Sequence, residues 1–224
     1  MNDAKIQFSP SEMELMSNAE IILTKNKILQ KIKTLLEQLQ DKMIQYGEAN
    51  INDQKSNSLL ASHPKISRGE NYAGLPYLIL DYPRLFYVSN IFTIRSMFWW
   101  GNFFSTTLHL AGSYKEKNLS HIENAYHDLA KHQFYIGVNE DQWMHHFEEG
   151  NYLLIKNLSK EEFIQCCMQY GHVKLATHFS LEEIHSAINN LFENWKLLIE
   201  ILPAKHQCGG TDLLTDDPKD GFDP

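Results

Sequence analysis

The sequence predicts an α+β protein with a mainly antiparallel meander sheet of about five to seven strands, packed by N-terminal, middle and C-terminal helices. Three observations lead there. Helical and strand-like stretches come in blocks rather than in strict alternation. Two Gly-Asn dipeptides, at 101–102 and 150–151, separate runs that read as strands, as hairpin turns do. Serines followed three residues later by glutamate open several amphipathic stretches in capping-box register. A chain of 224 residues with 43% apolar and 21% charged residues can bury a full core. We read one domain over 1–203, made of a helical segment 9–47, a sheet-rich core 72–180 and a helix 180–202, followed by an acidic tail 204–224.

Residues 9–47 begin with Ser9 as cap, Pro10 at the first helical position and Glu12 in box register. Ile28, Ile32, Leu35 and Leu39 could form a coiled-coil seam, but Leu29, Leu36 and Met43 widen the stripe, which favours packing on a core over pairing. The polar stretch 48–68 reads as a connection, and "LPYLILDYP" (75–83) as a short strand. Residues 91–100 and 103–111 form a hairpin. Residues 118–132 read as a helix with Ser120 and Glu123 as its box. "FYIGV", "WMHHFEE" and "YLLIKNL" read as three more strands. A helix follows from Ser159, with Glu162 in box register and Gly171 as its stop. "HVKLATHF" (172–179) reads as a strand or extended link, and the last helix opens at Ser180 with Glu183 and ends before Pro203.

The net charge of −8 argues against nucleic-acid binding, which rests on cationic contacts to phosphate, and no basic cluster resembles a membrane patch. Three cysteines, two of them adjacent (Cys166, Cys167, with Cys208 apart), make no disulfide framework or metal finger. The acidic, polar N-terminal stretch lacks a signal-peptide pattern. The expectation is a cytoplasmic protein.

Residues 91–112, "IFTIRSMFWWGNFFSTTLHLAG", are the densest apolar stretch. Arg95, Gly101, Asn102 and His109 interrupt it, so a membrane span is rejected in favour of two strands. A two-residue type II′ turn at Gly101-Asn102 would set Trp99 across from Phe104, Arg95 from Leu108 and Ile94 from His109. Both hairpin faces then carry aromatics, as in a strand pair covered on both sides or bordering a pocket.

All three arginines, Arg68, Arg84 and Arg95, fall between residues 68 and 95, in a stretch whose acids are Glu70 and Asp81. A cation at mid-strand needs a partner. Arg95 could pair internally with Asp81 or Glu70. Alternatively it could point into a pocket walled by Trp99, Phe104 and Tyr82 and hold a small anion, since arginine recognises carboxylate and phosphate. The loop-like "SRGENYAG" adds Arg68, Glu70, Asn71 and Tyr72 as candidates for the second reading.

Eleven histidines show no metal-ligand spacing. In "HHFEE" the adjacent His145 and His146 would diverge on a strand and on a helix alike. His109, amid aromatics, is a candidate for acid–base work or for a satisfied core residue. Neither a nucleophile elbow nor a phosphate loop is present. The sequence therefore nominates a small anionic ligand beside the 91–112 hairpin, with Arg95 as anchor, His109 or Asp81 as polar partner, Arg84, Arg68, Glu70 and Asn71 nearby, and Tyr72, Trp99 and Trp100 as walls. No cofactor or metal is expected. The competing reading is an interaction module that forms a homodimer through the N-terminal helix or the hairpin.

Overall fold

The computed structural model describes residues 6–49 and 60–202. The tail 204–224 with Cys208, and residues 50–59 of the expected connection, lie outside the described residues. The architecture is α+β. Among the described residues, seven antiparallel strands form one sheet in the order β1-β2-β3-β4-β7-β5-β6. Their ranges are β1 Lys65–Tyr72, β2 Leu75–Phe86, β3 Ile91–Trp99, β4 Phe103–Ala111, β5 Tyr135–Gly137, β6 Tyr152–Leu154 and β7 His172–Ser180. The helices are α1 Pro10–Ser17, α2 Ala19–Ala49, α3 Ser113–Asn124, α4 Tyr126–Lys131, α5 Lys160–Met168 and α6 Ala187–Glu200.

The helices α2 to α6 pack on one face of the sheet. Along α2 the buried side chains are Leu29, Ile32, Leu36, Leu39 and Met43. Their three–four spacing keeps one stripe on the sheet, so the stripe serves the core as its width implies. Along α6 the buried stripe is Ala187, Leu191, Phe192, Trp195 and Leu198. Trp195 stacks on Tyr82 with centroids 6.0 Å apart, and its indole N–H donates 2.6 Å to the Tyr82 carbonyl oxygen. These stripes meet Leu78, Leu80, Phe92, Ile94, Phe98, Phe104, Leu108 and Leu110 in one continuous apolar cluster.

The capping boxes at Ser9/Glu12 and Ser159/Glu162 form as their spacing requires, each serine accepting from the glutamate N–H and each glutamate returning to the serine N–H. Other expectations change. The 9–47 helix breaks at Asn18, whose backbone leaves the helical region. The helix expected over 118–132 starts earlier, at Ser113, and divides at Ala125, so Ser120 lies inside α3 instead of capping it. At the last helix the Ser180 side chain accepts from Glu182 N–H, and a 3-10 stretch Leu181–Ser186 precedes α6. "SRGENYAG" is not a loop: its residues up to Tyr72 belong to β1, an edge strand whose polar side chains are tolerated because one flank is unpaired. β2 runs past Pro83 to Phe86, with a shift in pairing between Asp81 and Arg84 that accommodates the proline. Of "YLLIKNL", the first three residues are strand and Ile155–Asn157 is a 3-10 turn.

Two corrections decide the site. Gly101 is not the first residue of a two-residue turn. It is the third of the turn Trp99–Asn102, with φ +72°, and the Asn102 N–H donates to the Trp99 carbonyl at 3.1 Å. The loop is thus one residue longer than expected. Trp99 pairs with Phe103, Arg95 with Thr107 and Thr93 with His109. A shift of one residue moves every side chain of one strand to the other face relative to its partner. Trp99 therefore parts from Phe104 and Tyr82, which lie in the helix-side core. His109 comes to the Arg95 face. The second correction concerns "WMHHFEE", which is no strand: residues 138–151 form an irregular strap between β5 and β6. It lies across the face that the helices leave uncovered.

Candidate functional site

The register puts an ordered array on that second face. One row across the sheet reads Asp81, Arg95, Thr107 and Ala176. The next reads Arg84, Thr93, His109 and Lys174. His172, opposite Ala111, closes the end of β7. Asp81, Thr93, Arg95, Thr107, His109, His172 and Lys174 are all buried although charged or polar. The tip of the hairpin carries instead a small apolar cluster of Tyr72, Tyr77, Ile79, Met97 and Trp99.

Arg95 and Asp81 form a bidentate pair, Nε to Oδ1 at 2.8 Å and Nη2 to Oδ2 at 2.9 Å. The two residues are direct cross-strand neighbours, so the backbone itself sets the fork against the carboxylate. The third edge of the guanidinium, Nη1, lies 3.0 Å from His145 Nε2. A guanidinium can only donate, so His145 accepts through Nε2 and is neutral there. Burial pushes the His145 imidazole well below its ordinary value, and the nearby Lys174 and Arg95 charges push the same way. His109 is likewise held well below by burial and then by Lys174 and Arg95, and its Nε2 donates to Gln142 Oε1 at 3.0 Å.

The strap is fastened by polar contacts. The Tyr72 hydroxyl accepts from the backbone N–H groups of His145 and His146 at 2.6 and 3.2 Å, which leaves its proton for His146 Nδ1 at 3.0 Å. Phe147 stacks on Tyr152 with centroids 4.7 Å apart, and Trp143 meets His109 edge-on at 5.4 Å. Asn151 Nδ2 donates to the His146 carbonyl, and the Val138 N–H to the Asn151 carbonyl, which ties the two ends of the strap together.

Lys174 is the member of the array that stands apart. It is 2% exposed, and its ammonium donates to the Met144 carbonyl oxygen of the strap. It lies 5.2 Å from the centre of the Tyr152 ring. Among the described residues no carboxylate comes within ion-pair distance of it. Burial, and then the Arg95 charge, bring its pKa down to about 7. Two further buried polar atoms on this face, Thr93 Oγ1 and the Tyr152 hydroxyl (the latter beside Thr107), meet no partner at hydrogen-bond geometry among the described residues.

The other nominated residues separate from this array. Arg68 and Glu70 pair with each other on the exposed edge strand β1, at 2.7 Å from Nε to Oε1, and Glu70 also takes Lys25 of α2 at 2.6 Å. Asn71 is exposed beside them. Arg84 belongs to the array's outer row, its guanidinium 5.4 Å from the Phe86 ring centre. Tyr72 and Trp99 are on the array's face, and the Trp99 indole N–H donates 3.1 Å to the Tyr72 carbonyl. Trp100 is in the turn and borders a groove beside α2.

Sequence reasoning missed Lys174, His145, His172 and Tyr152. The signal for two of them is the alternation in "HVKLATHF", with His172 and Lys174 on one side and Val173 and Leu175 on the other. Among the described residues, no group of three His, Cys, Asp or Glu is placed to hold a metal ion, and no helix is long and apolar enough to cross a membrane.

Comparison with known proteins yields no match to a family model, a curated protein or a solved structure.

Proposed function

We propose that the protein binds a small anionic molecule, a carboxylate or a phosphate, on the polar face of the sheet under the 138–151 strap. The observation that carries this reading is Lys174. An ammonium has three N–H groups to donate; here one donates to a backbone carbonyl, in a site shielded from water. An anion beside it would supply the missing acceptors and the missing charge. The remaining groups around it are suited to that task. His109 and His172 can donate when protonated, Thr93 and Tyr152 have unused hydroxyl capacity, and Arg95 adds positive potential while it stays paired with Asp81. Arg95 is thus not the anchoring cation but the fixed support beside it.

Binding is linked to the protonation of Lys174. The anion favours the charged amine, so occupancy raises the pKa of Lys174 from about 7 and is strongest on the acid side of neutrality. Entry requires the Met144 carbonyl to yield, which makes the strap the moving part.

The experiment is a thermal-shift series with phosphate, sulfate and citrate against chloride at matched ionic strength, on wild type and Lys174→Met. The expected result is stabilisation of the wild type by at least one of the multivalent anions, lost in the variant. Equal shifts in both proteins, or none in the wild type, would overturn the proposal.

A further inference from the structure

Independently of the polar face, residues 6–28 form an overhang. α1 buries none of its side chains, and along α2 burial begins only at Leu29. The first ten residues of α2, about 15 Å of helix, therefore extend past the core. Phe8, Leu15, Met16, Ile22 and Leu23 are each more than half exposed. Of the fourteen exposed large apolar side chains among the described residues, nine lie between Ile6 and Ile28. Single exposed apolar residues are ordinary, but a cluster of this kind marks a contact surface.

The charges of the segment select the occupant. Glu12, Glu14 and Glu20 precede the apolar centre Ile21–Leu23, and Lys25 and Lys27 follow it within the segment, Lys25 also reaching Glu70 of β1, with Lys31 just beyond its end. A bilayer-surface helix carries lysine and arginine throughout its polar face, which the acidic first half does not. Two parallel copies would set acid against acid. Two antiparallel copies, related by a two-fold axis near Ile22, set the acidic half of each against the basic half of the other. Beside this stretch, a groove of about 620 Å³ between Ile21, Thr24 and Ile28 of α2 and Leu75, Pro76 and Trp100 opens on the same surface. It offers a seat for apolar side chains of an incoming α1. The overhang also falls within the roughly 20–30 residues that one side of a standard interface contributes.

We infer that two copies of this chain associate through residues 6–28, antiparallel about a two-fold axis near Ile22. Light scattering and sedimentation on the full chain across the micromolar range test it, with wild type beside Ile22→Glu/Leu23→Glu. Both replaced side chains are exposed, so the variant keeps its fold, checked by circular dichroism. The expected wild-type mass is twice the chain's 26.1 kDa, and the variant's is that of one chain. A second variant, Glu14→Lys/Glu20→Lys, should weaken the dimer at low salt. A wild type of single-chain mass throughout, or a dimer that the Ile22/Leu23 variant leaves intact, would overturn the inference.

Discussion

The two faces of this sheet are made by the same strands and closed by opposite means. On the helix face, Leu78, Ile94, Phe104, Leu108 and Leu175 meet the stripes of α2 and α6, and shape complementarity does the closing. On the other face, Asp81, Arg95, His109 and Lys174 lie under an irregular strap that holds on by hydrogen bonds to the Tyr72 hydroxyl and from Arg95, His109 and Lys174. Apolar burial is favourable wherever it happens, whereas a buried charge is tolerated only with a partner in good geometry. The helix face therefore supplies stability, and the strap face uses some of it.

The comparison can be broken first at its strongest points. Asp81→Ala removes the partner of a buried guanidinium and should cost about 3–5 kcal/mol in chemical denaturation, whereas Asp81→Leu with Arg95→Met should recover most of that loss. On the helix face Leu36→Ala, at a site with no exposure, should cost about 2–5 kcal/mol through the cavity it leaves, and no second substitution of charge will rescue it. If the two faces answered alike to such double substitutions, the distinction between them would fail.

Lys174 sharpens the contrast through pH. In the unfolded chain this amine keeps its proton to about pH 10.4. In the folded protein it releases it near 7. Between these values unfolding takes up a proton, so stability rises with pH by up to a few kcal/mol across that window. Lys174→Met should remove the rise and stabilise the protein at neutral pH, even as it loses the proposed anion response. The histidines act in the same direction lower down. With His109, His145 and His172 all pushed below their ordinary values, stability should fall as pH drops below about 6.5, where the unfolded chain protonates them first. The smallest expected effect is at a helix end: Ser159→Ala should cost about 1 kcal/mol through loss of the α5 cap, on neither face.

Much of the scaffold is legible in the chain because local chemistry specifies it. Ser9/Glu12 and Ser159/Glu162 mark helix starts through bonds within four residues, and the width of the α2 stripe assigns that helix to a core. The site was only half legible. Asp81 is visible as one of two acids near Arg95, and it is the internal partner. The turn at Gly101 was misplaced by one residue, since a glycine at positive φ serves the first position of one turn type and the third residue of another. That single residue put His109 on the wrong face. Lys174 was invisible for a different reason. Its strand alternates as a half-solvated strand does, and only the fold of the distant strap turns a solvent face into a buried one. "WMHHFEE" alternates enough to resemble a strand, yet its polar groups bond across the sheet face, with no strand ladder.

Lys174, a buried amine that donates to the Met144 carbonyl, is the centre of the proposed anion site. Labelled-lysine NMR on the full chain, with inorganic phosphate titrated in near neutral pH, tests it most directly. One lysine signal should titrate near pH 7, be absent from Lys174→Met, and move to higher pKa as phosphate saturates it. A Lys174 signal that titrates with the surface lysines, or that stays unmoved by phosphate, would contradict it.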